Sequence, residues 1–413
     1  MQPVPPDPPF ESSSDFAPTE ASWYLGPKPD AAFRRLREED PVHWYGAGGF
    51  WCVTKHADVQ AVSQRPRTFS SEHGTQLFEV GRQLPPGVGT GAGTGSIIRM
   101  DPPAHNRHRK LVIGAFTPKR VAAMEPWIRG IAKQSLDAVD PDEANAPLDF
   151  VDRVAVPLPM FVIADMLGVP REDHATFRRW SDRIIEVGGG VFRLGSGNAI
   201  AELVAYLSQV IGERRRAPKE DLISLLVAAE VDGERLDDQE IQGFCLTLLV
   251  AGNETTRNLI AGGALALLQH PVQHQALLAD PGLLDNAIEE MLRYVSPLRN
   301  FIRCAVRDGE MHGKQIRAGD HLALFYSSAN RDAAVFGPDA DGFDVARESA
   351  ARHVAFGFGE HFCLGASLAR LEARVMFQEL LQRWPHFALA GEPTLLPSTL
   401  INGVERLPVV LAP

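Results

Sequence analysis

Between Asp238 and Gln269 apolar residues recur at helical spacing for about 32 residues, roughly 48 Å of helix. The middle of this stretch, Phe244–Val250, carries no charge, the pattern of a helix buried in a core. A second helix is predicted over Ala366–Arg383, apolar at 368, 371, 375 and 380–381 and ended before Pro385. From Pro118 to Leu236 the pattern is mainly helical, broken at Asp140–Asp142, Gly168–Pro170 and Gly188–Gly190. Another helix opens near Asp101, which is expected to cap it, with Pro102 and Pro103 in the first turn. Alternation and β-branched or aromatic residues mark Val42–Tyr45 and Phe50–Thr54 as a hairpin, with a short helix at Asp58–Gln64 behind it. Gln315–Ile316 and His321–Phe325, around a turn at Ala318–Asp320, read as a second hairpin, and Ser398–Pro413 as terminal β-structure. Residues 1–20, rich in Pro, Ser and Asp, read as a loose arm.

With 413 residues, 45% of them hydrophobic, the chain is long enough that two cores are the default expectation. A net charge of −11 argues against nucleic acid as a partner. Four cysteines (52, 245, 304, 363) lie far apart with no C-x-x-C pair, which favours neither a disulfide framework nor a zinc site and fits a reducing cytoplasm. The start of the chain lacks a basic residue followed by an apolar run, and no apolar stretch reaches 18 residues, so no signal peptide, membrane anchor or transmembrane helix is expected. His270 and His274 have the spacing of a metal pair, but Pro271 lies between them and no third ligand is in view, so both are expected at the surface.

The candidate chemistry centres on Phe356–Gly365, where Cys363 sits among glycines directly before a helix. Glycines let a backbone approach a flat ligand closely. A helix N-terminus favours thiolate over thiol, and a thiolate against a planar partner is what haem iron needs when sulfur is its proximal ligand. A buried structural cysteine is the alternative. In the central helix, Ala251-Gly-Asn-Glu-Thr-Thr256 places Glu254 and Thr255 where polar groups are costly, and Gly252 with the threonines is expected to open the helical ladder. His105 and Arg109 share one helix face, as do Glu290 and Arg293. Gly87–Gly95 is glycine-rich but has no G-x-G-x-x-G register and no preceding strand, so it reads as a mobile loop and not a phosphate cradle.

Phe356, Gly359, Cys363 and Gly365 fit F-x-x-G-x-x-x-C-x-G, and this stretch resembles the haem loop of the cytochrome P450 family. The H-x-x-x-R pair, A-G-x-E-T-T and E-x-x-R occur before it in that family's order, and the resemblance covers about residues 35–413. It implies a mainly α, triangular fold with a smaller β-region, closest to the soluble bacterial class, with haem between the long central helix and the Cys-loop helix. It also replaces the two-core default with a flexible arm at 1–20 and a single domain at 21–413. Carried over by position, Cys363 ligates the iron of haem b, and His105, Arg109, Arg303 and His361 hold its propionates. Ala251, Phe356, Gly357 and Gly365 lie against the haem, Glu254 and Thr255 relay protons, and Arg347 completes a structural triad with Glu290 and Arg293.

The implied activity is insertion of one oxygen of O2 into a C–H bond, with electrons from NAD(P)H through a ferredoxin-type donor to a cytoplasmic monomer. Rival readings are a peroxide-driven haem-thiolate enzyme, and a haem-binding sensor or carrier. Residues 171–212 match the substrate lid. Pocket candidates are the Gly-rich loop, Val250–Ala251, Leu298–Ile302 and Leu400–Asn402, largely apolar, which points to a hydrophobic substrate such as a sterol, terpenoid or branched lipid.

Overall fold

The computed structural model describes residues 15–81, 96–186 and 197–412. The Gly-rich loop, the break at Gly188–Gly190, part of the lid and most of the arm lie outside these residues. Of the arm, residues 15–20 are described, and Phe16 is buried with its ring edge-on to Trp23 and Phe33. Packing thus begins ahead of residue 21, because one buried aromatic outweighs the polar residues around it.

The central helix spans Asp238–Gln269, as the periodicity predicts, and starts with a reciprocal capping box between Asp237 and Glu240. Its second half is buried almost all round, from Leu259 through Leu267. It packs against Pro157–Met166, Leu284–Val295 and Ala366–Arg383, and the main hydrophobic cluster forms around it. The expected opening of the ladder is absent: the helix is continuous through residues 251–256, with the Thr255 hydroxyl donating to the Ala251 carbonyl at 2.6 Å. A hydroxyl can bond back to i−4 without breaking the helix when the carbonyl keeps its second lone pair.

The β-region lies chiefly in a five-stranded sheet, ordered Val42–Tyr45, Phe50–Val53, His321–Phe325, Asn300–Ala305, Phe69–Ser70. The first pair is the predicted hairpin. The second is different from expectation: Lys314–Ile316 pairs with Gly309–Met311, while His321–Phe325 joins the large sheet, parallel to Phe50–Val53 and antiparallel to Asn300–Ala305. Hydrophobicity alone could not choose between these partners. The sheet is covered on both faces, since Ala323 and Phe325 enter one aromatic cluster and Leu322 and Leu324 another.

Two smaller departures are local. The helix after Asp101 begins at Ala104, and the Asp101 carboxylate accepts instead from the Ser71 N–H at 2.8 Å. His274 is buried, not at the surface, with its ring 5.2 Å from that of Phe387.

Glu290 and Arg293 pair as expected, through contacts of 2.6 and 2.7 Å, both 0% exposed. Arg347 joins at 3.2 Å. Arg293 also donates to the carbonyls of Asn330, Ala340 and Gly342. Arg293→Met should therefore destabilise the protein by about 3–5 kcal/mol, the usual cost of stranding one half of a buried pair, seen as a lower urea midpoint. A change below about 1 kcal/mol, the level of an exposed pair, would contradict this role.

Candidate active site

One large cavity, of about 640 Å³, lies between the central helix and the loop before Ala366–Arg383. Ala251, Glu254 and Thr255 line it from the helix, and Phe356, Gly357, His361, Cys363 and Gly365 from the loop. His105 and Arg109 enter from Ala104–Val112, and Arg303 from the strand Asn300–Ala305. Every candidate site residue named from the sequence thus meets in this one space. Of the pocket candidates, Val250, Leu298, Phe301, Leu400 and Ile401 line it, whereas Ile302 is turned to the opposite face by strand alternation and packs with Phe16 and Phe325. Asn402 does not line it.

The loop is held by its own backbone: the Cys363 N–H donates to the Phe356 carbonyl at 2.9 Å and Phe362 N–H to Gly359 at 3.1 Å. Gly359 has φ +74°, and a Cβ there would stand 2.4 Å from the Ser63 carbonyl oxygen, so both conformation and space require glycine. Cys52, Cys245 and Cys304 are buried elsewhere, and Cys363 is the cysteine that faces the cavity. Burial pushes its thiol up, against the Gly365 N–H and the Arg109 and Arg370 guanidiniums, which pull it down. Desolvation therefore opposes the helix-terminus effect expected from sequence.

Around the cavity's edge, the His105 and His361 rings are 4.3 Å apart. Burial, Arg303, His105 and Arg109 together hold the His361 imidazole well below its ordinary pKa. Glu360 is the nearby carboxyl, and burial and Asp101 raise it. His105 Nε2 is buried and has no hydrogen-bond partner. A cluster of donors short of negative charge, with an orphaned nitrogen, fits a ligand bearing carboxylates.

On the helix side, the Glu254 carboxylate is bound by Arg257 at 2.5 Å and by Asn258 at 2.9 Å, leaving Oε2 without a partner. Arg257 and Asn258 were not singled out from sequence, although their i,i+3 and i,i+4 spacing from Glu254 was readable there. Tyr326, buried beside Arg303 and lining the cavity, carried no sequence signal.

A family profile described as Cytochrome P450 matches residues 195–399. The methyl-branched lipid omega-hydroxylase of Mycobacterium tuberculosis is 38% identical over 394 residues, covering 92% of this chain and 90% of that protein. This chain belongs to the cytochrome P450 family. The steroid C26-monooxygenase of M. tuberculosis is 37% identical over 402 residues, covering 95% of this P450 and 96% of that protein. Among solved structures, CYP109E1 from Bacillus megaterium in complex with testosterone aligns with a TM-score of 0.82 at 36% identity, covering 92% of this chain and 98% of that one. The mainly α fold with a small β-region is therefore the P450 fold. The enzyme is a haem-thiolate monooxygenase that uses haem b with a cysteine thiolate axial ligand, O2 and a redox partner to oxidise a hydrophobic small molecule. Among the described residues, no helix is long and apolar enough to cross a membrane.

The loop is also braced from behind. Arg370 stacks over the Phe356 ring at 4.6 Å and binds Glu289 at 2.6 and 2.8 Å, with His353 Nε2 at 3.2 Å from the same carboxylate. Burial would raise the Glu289 carboxyl, but Arg370 and His353 more than offset it and hold it at about 2. The folded value lies below the unfolded one, so this stabilisation is present above about pH 5 and is lost as pH falls towards 2. Glu289→Gln should accordingly lower stability at neutral pH and flatten the acid limb of a urea-midpoint profile. An acid limb of unchanged steepness would show that Glu289 is not held this way.

Proposed function

We propose that Cys363 is the thiolate ligand of haem b and that His105, Arg109, Arg303 and His361 hold its propionates. The proposal rests on Cys363 facing the cavity in which the four donors converge. Ala251, Phe356, Gly357 and Gly365, which line the same cavity, would hold the haem ring. When bound, haem supplies reductive activation of O2 and transfer of one oxygen atom to carbon. The chain supplies orientation, exclusion of water and protons.

Glu254 and Thr255 form the proton path. Glu254 keeps one carboxylate oxygen on Arg257 and Asn258 while Oε2 is left for a water, and the Thr255 hydroxyl lies on the cavity side of the same turn. A donor chain of this kind needs hydrogen-bond reach, directly or through one water. Leu298, Phe301, Leu400 and Ile401 make an apolar wall opposite Val250 and Phe244. Such a wall selects by shape and burial, and with relatives named for methyl-branched lipids and steroids it favours a branched lipid or sterol-like substrate.

Electrons reach the site from a ferredoxin-type donor. Phe362, beside Cys363, is 39% exposed and offers an apolar contact on the cysteine side. Nearby Arg109, which donates to the Phe362 carbonyl, provides charge complementary to an acidic partner. The free state of all four cysteines fits a reducing cytoplasm, where the chain acts as a monomer in a single domain whose packing takes in Phe16.

Titrating steroids, terpenes and branched fatty acids by their effect on the Soret band tests the substrate class. Cys363→His should abolish the red-shifted band of the reduced CO complex, and a retained band removes Cys363 from the ligand role. Arg109→Ala should lower haem occupancy while leaving the fold intact; undiminished haem affinity in both Arg109→Ala and Arg303→Ala would rule out the cradle. Thr255→Ala should keep consuming NAD(P)H but divert more of it to hydrogen peroxide, and Glu254→Gln should slow turnover more than it uncouples it. Product and peroxide per NAD(P)H oxidised are the readouts. Full coupling in the first variant and full rate in the second would leave these residues as packing only.

A further inference from the structure

The two segments that give Leu298, Leu400 and Ile401 to the large cavity give neighbouring residues, Arg299 and Asn402, to a second, smaller cleft. Its volume is about 30 Å³, and three arginines line it: Arg37, Arg299 and Arg331. Arg37 is 6% and Arg299 7% exposed. Arg299 uses only Nε in hydrogen bonds, to the Ser398 and Ile401 carbonyls at 3.2 Å each, and its guanidinium lies 4.3 Å over the Tyr24 ring. Neither of its Nη atoms has an acceptor among the described residues, and no carboxylate lies within 4 Å of it.

The other two arginines are poorly matched in charge as well. Arg37 donates to the Ser328 carbonyl and hydroxyl, and its closest carboxylate, Asp341, is 3.9 Å away and already bound to Arg34 at 2.6 Å. Arg331 donates to the Asp341 and Tyr294 carbonyls, with Asp30 at 3.8 Å from its Nε. Although Asp341 and Asp332 act more strongly on Arg37, Asp30 acts electrostatically on Arg37 and Arg299 also, so it is the carboxylate the three guanidiniums share. That carboxylate is 62% exposed, at the start of the helix Lys28–Glu39, and reaches none of them at hydrogen-bond distance. Burying a guanidinium without a close counter-charge is costly, and Arg299 carries this deficit, with Arg37 and Arg331 adding positive charge around the same cleft.

We propose that the cleft binds a small monovalent anion of chloride size, held by Arg299, Arg37 and Arg331, in competition with the Asp30 carboxylate. Room for about two waters admits a halide and leaves out an organic acid or a phosphate ester. The site is distinct from the haem and substrate cavity but shares its wall. Arg299 ties the strand-side segment to the loop Ser398–Asn402, so an anion that anchors Arg299 stiffens Leu298, Leu400 and Ile401 together. Anion and substrate affinity are then linked, each changing the other by the same factor.

The test uses the holoenzyme at constant ionic strength, exchanging gluconate for chloride and reading thermal unfolding, so it does not depend on the substrate assignment. The parent should show a saturable rise in Tm with chloride. Asp30→Asn removes the competing charge from an exposed position, and its midpoint should fall roughly fivefold, the effect of one screened charge contact. Arg299→Gln should lose the chloride response, and bromide-grown crystals of the parent should give an anomalous peak in the cleft. A parent indifferent to chloride against gluconate overturns the proposal, as does an Asp30→Asn midpoint that is unchanged or higher. The same chloride response in Arg299→Gln would overturn it too, and if that variant does not fold, the Asp30→Asn shift and the bromide peak decide.

Discussion

Two fully buried charges, Glu290 and Arg293, govern how the cysteine loop is carried. The chain from Asn330 to Cys363 has only a few short helical turns, so most of its backbone carbonyls find no partner in a helix or sheet. Arg293 and Arg347 supply donors instead, to the carbonyls of Asn330, Phe336, Asp339, Ala340 and Gly342. Asn330 passes the connection on, its side chain accepting from the Val354 N–H at 2.7 Å just ahead of the loop. Glu290 pairs with both arginines and holds them in place. An irregular segment is held here by ionic donors rooted in a regular helix, up to the start of the cysteine loop.

The central helix meets the opposite demand. It must be apolar enough to be buried, yet bring a carboxylate and a hydroxyl to the cavity. Clustering the buried polar groups at Asn253–Asn258 and letting them bond in part to one another along the helix achieves this: Arg257 and Asn258 bind Glu254, and Thr255 binds the Ala251 carbonyl. Asn253 alone reaches outside, to Ser181 at 2.9 Å. Charge in the buried part of the helix is thereby kept near one turn, and from Leu259 to Leu267 the helix packs as a hydrophobic rod.

Where the two demands meet, the cavity is polar at its haem-side edge and apolar at its substrate wall. The strand Asn300–Ala305 serves both, with Phe301 in the apolar wall and Arg303 at the charged edge, while Ile302 between them faces the core. A period of two residues is enough to place one strand in three environments.

Periodicity and spacing determined a good deal alone. The bounds of Asp238–Gln269 and Ala366–Arg383 and the hairpin at Val42–Val53 were legible because helical and strand periods are local properties, whereas the convergence of the cysteine loop with His105, Arg109, Glu254 and Thr255 was expected only from the resemblance to the P450 family. Other outcomes depended on what each group met in space. His321–Phe325 left the predicted hairpin because two longer strands offered it partners on both edges. Asp101 gave up its cap for the Ser71 N–H, His274 was drawn into the interior against Phe387, and Phe16 turned a polar arm into a packed edge. Only the tertiary structure could set Cys363 where burial pushes its thiol up against the Gly365 N–H and two guanidiniums, or bring Arg37, Arg299 and Arg331 around one cleft. Desolvation and long-range charge depend on neighbours hundreds of residues away, and no local pattern encodes them.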